Sequence, residues 1–348
     1  MQSRDLKKKE HLLYSIRAYA IRTFELVLGV NAGFNSGLKS REFLRCWAEF
    51  RSRPNVSFEN TRPLRAGFPN GGGMKLFLKL LSPLFLLFMF ALSVYEKGRP
   101  KIYDCVLFFN EPELLEIRLN ELYESVDKFV IVETIENFQG KLKPLYFEEN
   151  RHLFKKFEDK IIHIALKERV NTNDPWERKA FQRNQILRGL KQCRKQDIIL
   201  FSDMDEIVKA KALKEIKSLL VSGKYDVVGT RQKKYTYFLN RFAALSPGTV
   251  ATTAAYLKKA TPQQLRRRKG AVYQIENAGW HFAHIGGIQR VLSKIYASAY
   301  ADQMDEEKKD AQFLAQEMEK GVFEKIDETF PKYVQENEGR YREIGLVR

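Results

Sequence analysis

The sequence of 348 residues is poor in cysteine, glycine and proline. Its three cysteines are Cys46, Cys105 and Cys193, and none has a CxxC partner. A disulfide-dense secreted scaffold and a thiolate zinc site are therefore excluded. The 20 glycines and 11 prolines are too few for a collagen-like or low-complexity chain. Hydrophobic residues, at 44%, are numerous enough to build a sizeable core.

Basic residues outnumber acidic ones and leave a net charge of +17. Ten of these excess positive charges lie in residues 1–100. Nucleic-acid binding requires a basic stripe on a folded face with interleaved aromatics, and the nearest approach to one is the short run at 266–269. No nucleic-acid partner is therefore predicted. Attraction to anionic lipid headgroups or to a phosphate-bearing ligand is the favoured interpretation.

One long apolar run lies within residues 75–95, with no charge from Leu80 to Tyr95. A membrane span needs roughly 20 apolar residues and a signal-peptide core about 7–15. Because no small-residue cleavage pattern follows, residues 74–100 are predicted to be a retained single-pass membrane anchor; a cleaved signal and a core helix are the alternatives. Lysines on both flanks leave the orientation open between a bacterial inner-membrane protein and a Golgi type II protein. Residues 1–73 are a basic tail or an over-extended start.

Residues 101–348 alternate short apolar runs with amphipathic stretches, which is typical of an α/β domain. Predicted strands are 103–109, 128–133, 161–166 and 197–201, with a fifth opening at 226–228, and predicted helices are 112–126, 148–160, 174–193 and 209–221. Asp174 followed by Pro175 is the expected N-cap of the third helix. The alternation predicts a mostly parallel sheet with helices on both faces, and ligands beyond the carboxyl ends of the strands.

Three carboxylates in four residues follow the fourth predicted strand, in Ser202–Ile207 (SDMDEI). Like charges this close repel one another unless something neutralises them. In an extended chain Asp203 and Asp205 point the same way, so both can face one divalent cation. Their hard oxygens favour Mg²⁺ or Mn²⁺ over zinc. The alternative is a helix N-terminus, where Asp205 and Glu206 simply favour the helix dipole.

A series of motifs resembles glycosyltransferase family 17, which includes the β-1,4-mannosyl-glycoprotein N-acetylglucosaminyltransferase (GnT-III type). In the family's order they are YDCVLFFNE (103–111), LEIRLNEL (115–122), FVIVE (129–133), GKLKPLYF (140–147), WERKAFQRN (176–184), SDMDEI (202–207) and GWHF (279–282). The resemblance covers about residues 103–300. It implies a GT-A-like, Rossmann-type fold and a glycosyltransferase that moves a sugar with inversion from a nucleotide-sugar, UDP-GlcNAc in the characterised member, to a glycan acceptor. The family's Ser-His-x-Glu-like element is replaced here by AYAD (299–302).

The resemblance implies a metal site built around the acidic motif. Asp203 and Asp205 correspond to the residues that bind the Mn²⁺ or Mg²⁺ ion and the donor diphosphate. His281 corresponds to a downstream ligand that completes the metal shell, with a hydrogen-bonded core histidine as the alternative. His284, close to two glycines, is expected to line the same pocket.

The same resemblance implies the residues that contact the nucleotide-sugar. They are Asn110, Glu111, Glu133, Arg183 and Asn184. An arginine on the helix before the acidic motif can pair with phosphate, and a helix-surface ion pair is the alternative for Arg183. For Glu133 the alternative is a solvated strand end.

An inverting transfer also requires a general base for the acceptor hydroxyl. The acidic motif faces the leaving group, so the base is expected after Asn240, where carboxylates are scarce. Glu276, just before GWHF, and Asp302, at the position of the family's usual acid, are the predicted bases; an ordinary solvated side chain is the alternative for each. Two other classes compete with a glycosyltransferase: a haloacid-dehalogenase-type phosphohydrolase and a non-enzymatic, basic membrane-associated protein.

Overall fold

The structure, a computed structural model, describes residues 98–348. The predicted basic tail (1–73) and all but the last three residues of the predicted anchor (74–100) lie outside the described residues. Within the described range, no helix combines the length and the apolar character that a membrane crossing needs.

A mixed sheet of ten strands forms the centre of the described chain. The strands are β1 (Ile102–Leu107), β2 (Lys128–Thr134), β3 (Ile161–Leu166), β4 (Ile198–Asp203), β5 (Glu206–Val208), β6 (Val227–Thr236), β7 (Arg241–Thr253), β8 (Tyr273–Ile275), β9 (Gly279–Ala283) and β10 (Val322–Phe323). Their order is β3-β2-β1-β4-β7-β6-β9-β5. In addition, β8 pairs with β6, and β10 pairs with β7. The first four are parallel to one another, whereas β7 runs antiparallel to both β4 and β6.

Short helices connect and cover these strands. The α-helices are α1 (Pro112–Leu122), α2 (Tyr146–Glu149), α3 (Pro175–Asn184), α4 (Ile186–Gly189), α5 (Leu213–Val221), α6 (Pro262–Arg267), α7 (Ile288–Ala297), α8 (Ala311–Glu319), α9 (Lys332–Glu336) and α10 (Glu338–Glu343). The 3₁₀ helices are Arg151–Lys160, Ala210–Ala212, Ala254–Lys258, Ala301–Gln303 and Glu306–Lys309. The predicted N-cap of α3 is confirmed, because the Asp174 carboxylate accepts the Trp176 N–H at 2.8 Å.

Alternating side chains of the parallel strands build two apolar layers. Ile131 and Leu200 face one side with Leu115 of α1, and Val130 and Phe201 face the other with the helices α4 and α6. Because both faces of these strands are covered, the strands are apolar almost throughout. The predicted placement of helices on both faces is confirmed.

The sheet is mixed, whereas the sequence predicted a mostly parallel one. The five predicted strands are present, but the last of them, β6, pairs with β7 in an antiparallel hairpin. The helix predicted at 148–160 is a single α-turn followed by 3₁₀ helix, and the helix predicted at 174–193 breaks at Gln185. These differences leave unchanged the edge at which β1, β2 and β4 end together.

Candidate active site

A cavity of about 280 Å³ opens at the carboxyl ends of β1, β2 and β4. Leu107, Thr134 and Asp203 mark those strand ends in its wall. The opposite wall comes from the end of β9 and from α7. This is where ligands bind in open α/β sheets. Five of the residues expected at the site line the cavity: Glu111, Asp203, Asp205, His281 and His284.

A fully buried ion pair fixes the acidic segment from below. Arg118 of α1 binds both carboxylate oxygens of Asp104 of β1, each at 2.6 Å, and neither side chain is exposed. The same guanidinium donates to the backbone carbonyl of Glu206 at 2.9 Å and to the Ser202 hydroxyl at 2.5 Å. It also reaches the carbonyls of residues 203 and 204, each at 3.3 Å. Arg118 therefore determines the backbone path that carries the three carboxylates.

Asp203 and Asp205 do not point the same way, because the chain turns at residues 204–205 between β4 and β5. Asp203 faces α3 and α6, where Arg183 donates to one oxygen at 2.6 Å and Arg266 to the other at 3.0 Å. Burial alone raises the pKa of Asp203, but the two arginines outweigh it and hold that pKa well below its usual value. Arg266 also binds Glu206, as does Lys269 at 2.9 Å.

Asp205 belongs to a second group of charges on the other side of the turn. One of its oxygens accepts from Lys294 of α7 at 2.7 Å, and the Lys294 ammonium also contacts Glu111 at 2.6 Å. The other oxygen lies 3.7 Å from the Nε2 atom of His281. Burial would raise the pKa of Asp205, but Lys294 and His281 lower it to about 2. The carboxylate is therefore ionised at any physiological pH.

The chain itself neutralises the carboxylates that the sequence assigned to a metal. Glu111, Asp203, Asp205 and Glu206 carry four negative charges, and four basic side chains are paired with them: Arg183, Arg266, Lys269 and Lys294. Repulsion among the carboxylates therefore does not by itself require a metal ion. Within residues 98–348, no three His, Cys, Asp or Glu side chains gather as a metal-holding group.

Two side chains nevertheless suit a divalent cation. Asp205 and His281 approach within 3.7 Å at the cavity wall. The His281 Nδ1 atom lies 3.3 Å from the Ser246 hydroxyl, which leaves Nε2 directed toward Asp205. A ring held at one nitrogen by such a partner is typical of histidine ligands, and one oxygen with one imidazole nitrogen suits Mn²⁺. Asp205 and His281 therefore fit as two protein ligands, whereas both oxygens of Asp203 are held by arginines.

Three further lysines line the cavity, and no carboxylate of the described chain lies within 4 Å of them. They are Lys143, Lys179 and Lys234. Lys179 of α3 is flanked by the rings of Phe138 and Trp176 and lies in the field of Asp203. Burial lowers the pKa of Lys179 and brings that of Lys143 to about 8. Such cations attract an anionic ligand into the cavity.

His284 occupies a strained position in the same wall. Its φ of +54° lies in the left-handed region, which is uncommon for a residue other than glycine. Its Nδ1 atom is buried and has no hydrogen-bond partner in the described chain. Burial, reinforced by the charge of Lys294, lowers the pKa of His284 to about 4, so the ring is neutral at pH 7. The expectation that His284 lines the pocket is confirmed.

Four predicted nucleotide contacts do not line the cavity. Glu133 is fully buried and accepts the Phe147 N–H at 2.6 Å, because its carboxylate lies at the start of α2. Arg183 directs its guanidinium at the Asp203 carboxylate instead of into the cavity. Asn184 accepts the backbone N–H of Gln263 at 3.1 Å, and Asn110 lies in the bend before α1. Of the five predicted contacts, only Glu111 reaches the cavity.

The two predicted bases are also away from the cavity. Glu276 lies in the turn before β9 with its side chain 68% exposed, 4.0 Å from Arg231. Asp302 is exposed in a 3₁₀ turn. The cavity residues that follow Asn240 in the chain include no carboxylate. The structure thus brings Asp205 and His281 together, directs Asp203 toward two arginines instead, and leaves both predicted bases outside the cavity.

Several residues of the site are not predicted by the sequence. The ion pair of Asp104 and Arg118 is the one that local pattern indicates. A charged residue inside a buried apolar strand, as Asp104 is, requires a partner, and Arg118 lies on the apolar face of the next helix. No comparable signal marks Lys294 or Arg266, which follow the acidic motif by 89 and 60 residues. Only the folded chain shows which distant cations meet which carboxylates.

Glycosyltransferase family 17 matches residues 87–332 of this sequence. The match covers the sheet, the acidic turn and the cavity. The chain belongs to glycosyltransferase family 17, and it is a glycosyltransferase. No curated protein matches the sequence.

Among solved structures, the similarities are distant. The Staphylococcus aureus TarS 1–349 crystal structure is 17% identical with a TM-score of 0.34, over 63% of this chain and 70% of that one. The mannosyltransferase PcManGT from Pyrobaculum calidifontis, solved in complex with GDP-Man and Mn²⁺, is 14% identical with a TM-score of 0.37, over 71% of each chain. The family assignment therefore rests on the match over residues 87–332.

Proposed function

We propose that this glycosyltransferase is of the GnT-III type and transfers GlcNAc with inversion from UDP-GlcNAc to a hydroxyl group of a glycan. The observation that carries the donor site is the charge of the cavity wall. Lys143, Lys179 and Lys234 face the cavity without carboxylate partners. Asp205 and His281 also line it. A nucleoside diphosphate is the kind of anion that such a wall attracts.

In this reaction the side chains of the cavity bind the donor and orient it. Lys179 and Lys234 bind the diphosphate oxygens, and Asp205 with His281 would hold a Mn²⁺ or Mg²⁺ ion. When bound, that ion supplies positive charge to the departing diphosphate. In the single displacement, the acceptor hydroxyl releases its proton to water as its oxygen bonds to the anomeric carbon, while the bond to the diphosphate breaks and its electron pair leaves with the nucleotide. Arg118 keeps the turn at 203–206 in place during this exchange.

The donor is tested by hydrolysis, because slow hydrolysis needs no acceptor. Release of UDP, GDP and CMP from their sugar nucleotides is measured with Mn²⁺ present. We expect UDP-GlcNAc to be turned over and UDP to raise the melting temperature. Turnover of a GDP- or CMP-sugar alone would contradict the donor, and stabilisation by UDP in excess EDTA would contradict the metal.

The diphosphate contact is tested by substitution of one lysine. Lys179→Gln should weaken UDP binding about tenfold, the scale of one charge-assisted hydrogen bond of about 1.5 kcal/mol. The matched control is Lys224→Gln, since Lys224 also lies over a ring, that of Tyr225, but is exposed and away from the cavity. Equal UDP affinity in the two variants would contradict the placement of the diphosphate.

We also propose that residues 74–100 anchor the protein in a membrane, which the uncharged run from Leu80 to Tyr95 supports. The full chain should sediment with membranes and require detergent for release. A chain beginning at Arg99, which pairs with Asp127 at 2.7 Å, should remain in the supernatant and bind UDP. Recovery of the full chain in the supernatant would refute the anchor.

A further inference from the structure

Lys294 lies between two carboxylates that face the cavity. Its ammonium contacts Glu111 at 2.6 Å and Asp205 at 2.7 Å, and only 25% of its side chain is exposed. Two carboxylates at hydrogen-bond distance thus hold one cationic side chain between them. The position therefore carries a permanent positive charge.

Asp205 is shared between this ammonium and the proposed metal position. One oxygen accepts from Lys294, and the other is the one that faces His281 at 3.7 Å. A divalent cation on Asp205 and His281 would share a single carboxylate with the ammonium. Like charges at such short range repel strongly where water is largely excluded.

We propose that Lys294 prevents Asp205 and His281 from taking up a divalent cation until the donor diphosphate is present. The inference rests on the proposed donor and metal sites and concerns the order in which they fill. The diphosphate brings two or three negative charges next to the ammonium, and these offset the repulsion between the two cations. The cation and the nucleotide therefore enter together, and the free protein binds the cation weakly.

A purely structural role for Lys294 predicts the opposite change on substitution. If the lysine only positioned Asp205, its removal would loosen that carboxylate and weaken cation binding. If it repels the cation, its removal strengthens binding. The sign of the change therefore distinguishes the two roles.

The experiment is a titration of the full-length protein with Mn²⁺ alone, followed by the electron paramagnetic resonance signal of the free ion. We expect Lys294→Gln to bind Mn²⁺ at least tenfold more tightly than the unaltered protein, and Lys294→Arg, which keeps the charge, to bind as weakly as the unaltered protein. The matched control is Arg290→Gln, on the same helix α7 but paired with Glu113 at 2.8 Å, outside the cavity. It should leave Mn²⁺ affinity unchanged.

A second titration adds saturating UDP. The unaltered protein should then gain at least tenfold in Mn²⁺ affinity, and Lys294→Gln should gain less. The double variant Glu111→Gln/Lys294→Gln removes the repulsion left between the two carboxylates and replaces the single variant if that one does not fold.

Two results would overturn the inference. Unchanged or weaker Mn²⁺ binding by the lysine-free variants shows that Lys294 does not repel the cation; if the unaltered protein still gains Mn²⁺ affinity with UDP, the metal site itself stands. Absence of Mn²⁺ binding in every variant, with and without UDP, refutes the metal assignment together with the inference.

Discussion

Replacement of Arg118 by methionine should be among the most costly substitutions in the described chain. The change keeps most of the apolar stem but leaves the Asp104 carboxyl group wholly buried and without its partner. Removal of one partner from a buried ion pair costs about 3–5 kcal/mol. Because domains of ordinary stability unfold at a cost of about 5–15 kcal/mol, a large part of the folding free energy would be lost.

The double variant Asp104→Leu/Arg118→Met separates the ion pair from the other bonds of the guanidinium. It removes the orphaned charge, so the remaining loss should be about 1–3 kcal/mol, the cost of the carbonyls of the acidic turn that no longer receive a donor. The surface pair of Arg99 and Asp127, in which Arg99 is 43% exposed, is the control. Arg99→Met should cost at most about 1 kcal/mol.

Urea unfolding followed by circular dichroism gives all these free energies. A loss in Arg118→Met no larger than in Arg99→Met would refute the reasoning. So would a double variant no more stable than the single one, since the orphaned carboxylate would then contribute nothing.

Three further outcomes are expected. Burial lowers the pKa of His284 from 6.5 to about 4, so the unfolded chain takes up a proton there before the folded one does. The free energy of unfolding should therefore be highest above pH 6.5 and fall by about 3 kcal/mol as the pH drops toward 4. His284→Asn, which tolerates the positive φ, should flatten the pH dependence of the urea midpoint over that range. Glu276→Ala and Asp302→Ala should each keep near-native transfer in a sugar-transfer assay, because both side chains are exposed outside the cavity; a loss of 10²-fold or more in either would restore it as a base. Gly279→Ala should lower the melting temperature, since a Cβ there would lie 2.4 Å from the Ile207 carbonyl oxygen, and an unchanged melting temperature would show that the strands can separate.

The parallel half of the sheet could be predicted because its strands are buried on both faces. Such strands appear in the sequence as short apolar runs between turn residues, as Ile198–Asp203 does. The antiparallel half gave little signal. Strand β6 carries Arg231, Lys233 and Lys234 and is buried on one side only in its second half, and β7 contains Pro247 and Gly248. Long-range pairing, not local propensity, makes these segments strands.

The site shows the same division between local and distant information. The position of the acidic motif after β4 followed from local pattern, and so did the edge of the sheet at which it lies. The directions of Asp203 and Asp205 did not, because Arg118 bends the chain between them from 85 residues away. The neutralising charges come from α3, α6 and α7. No spacing in the sequence indicates that these basic residues lie beside the carboxylates in the folded chain.

The pairing of β5 with β9 places Glu206 opposite His281 and Ile207 opposite Trp280. Side chains alternate between the two faces of a strand, so a shift of one residue would turn His281 away from Asp205 and replace it with a neighbour. Point substitutions along these strands, other than at close approaches such as that of Gly279, leave this register unchanged. A single-residue insertion or deletion in the tight turn at 276–278 would instead abolish the pairing of acid and imidazole in one step, so the site depends more on the length of this turn than on its composition.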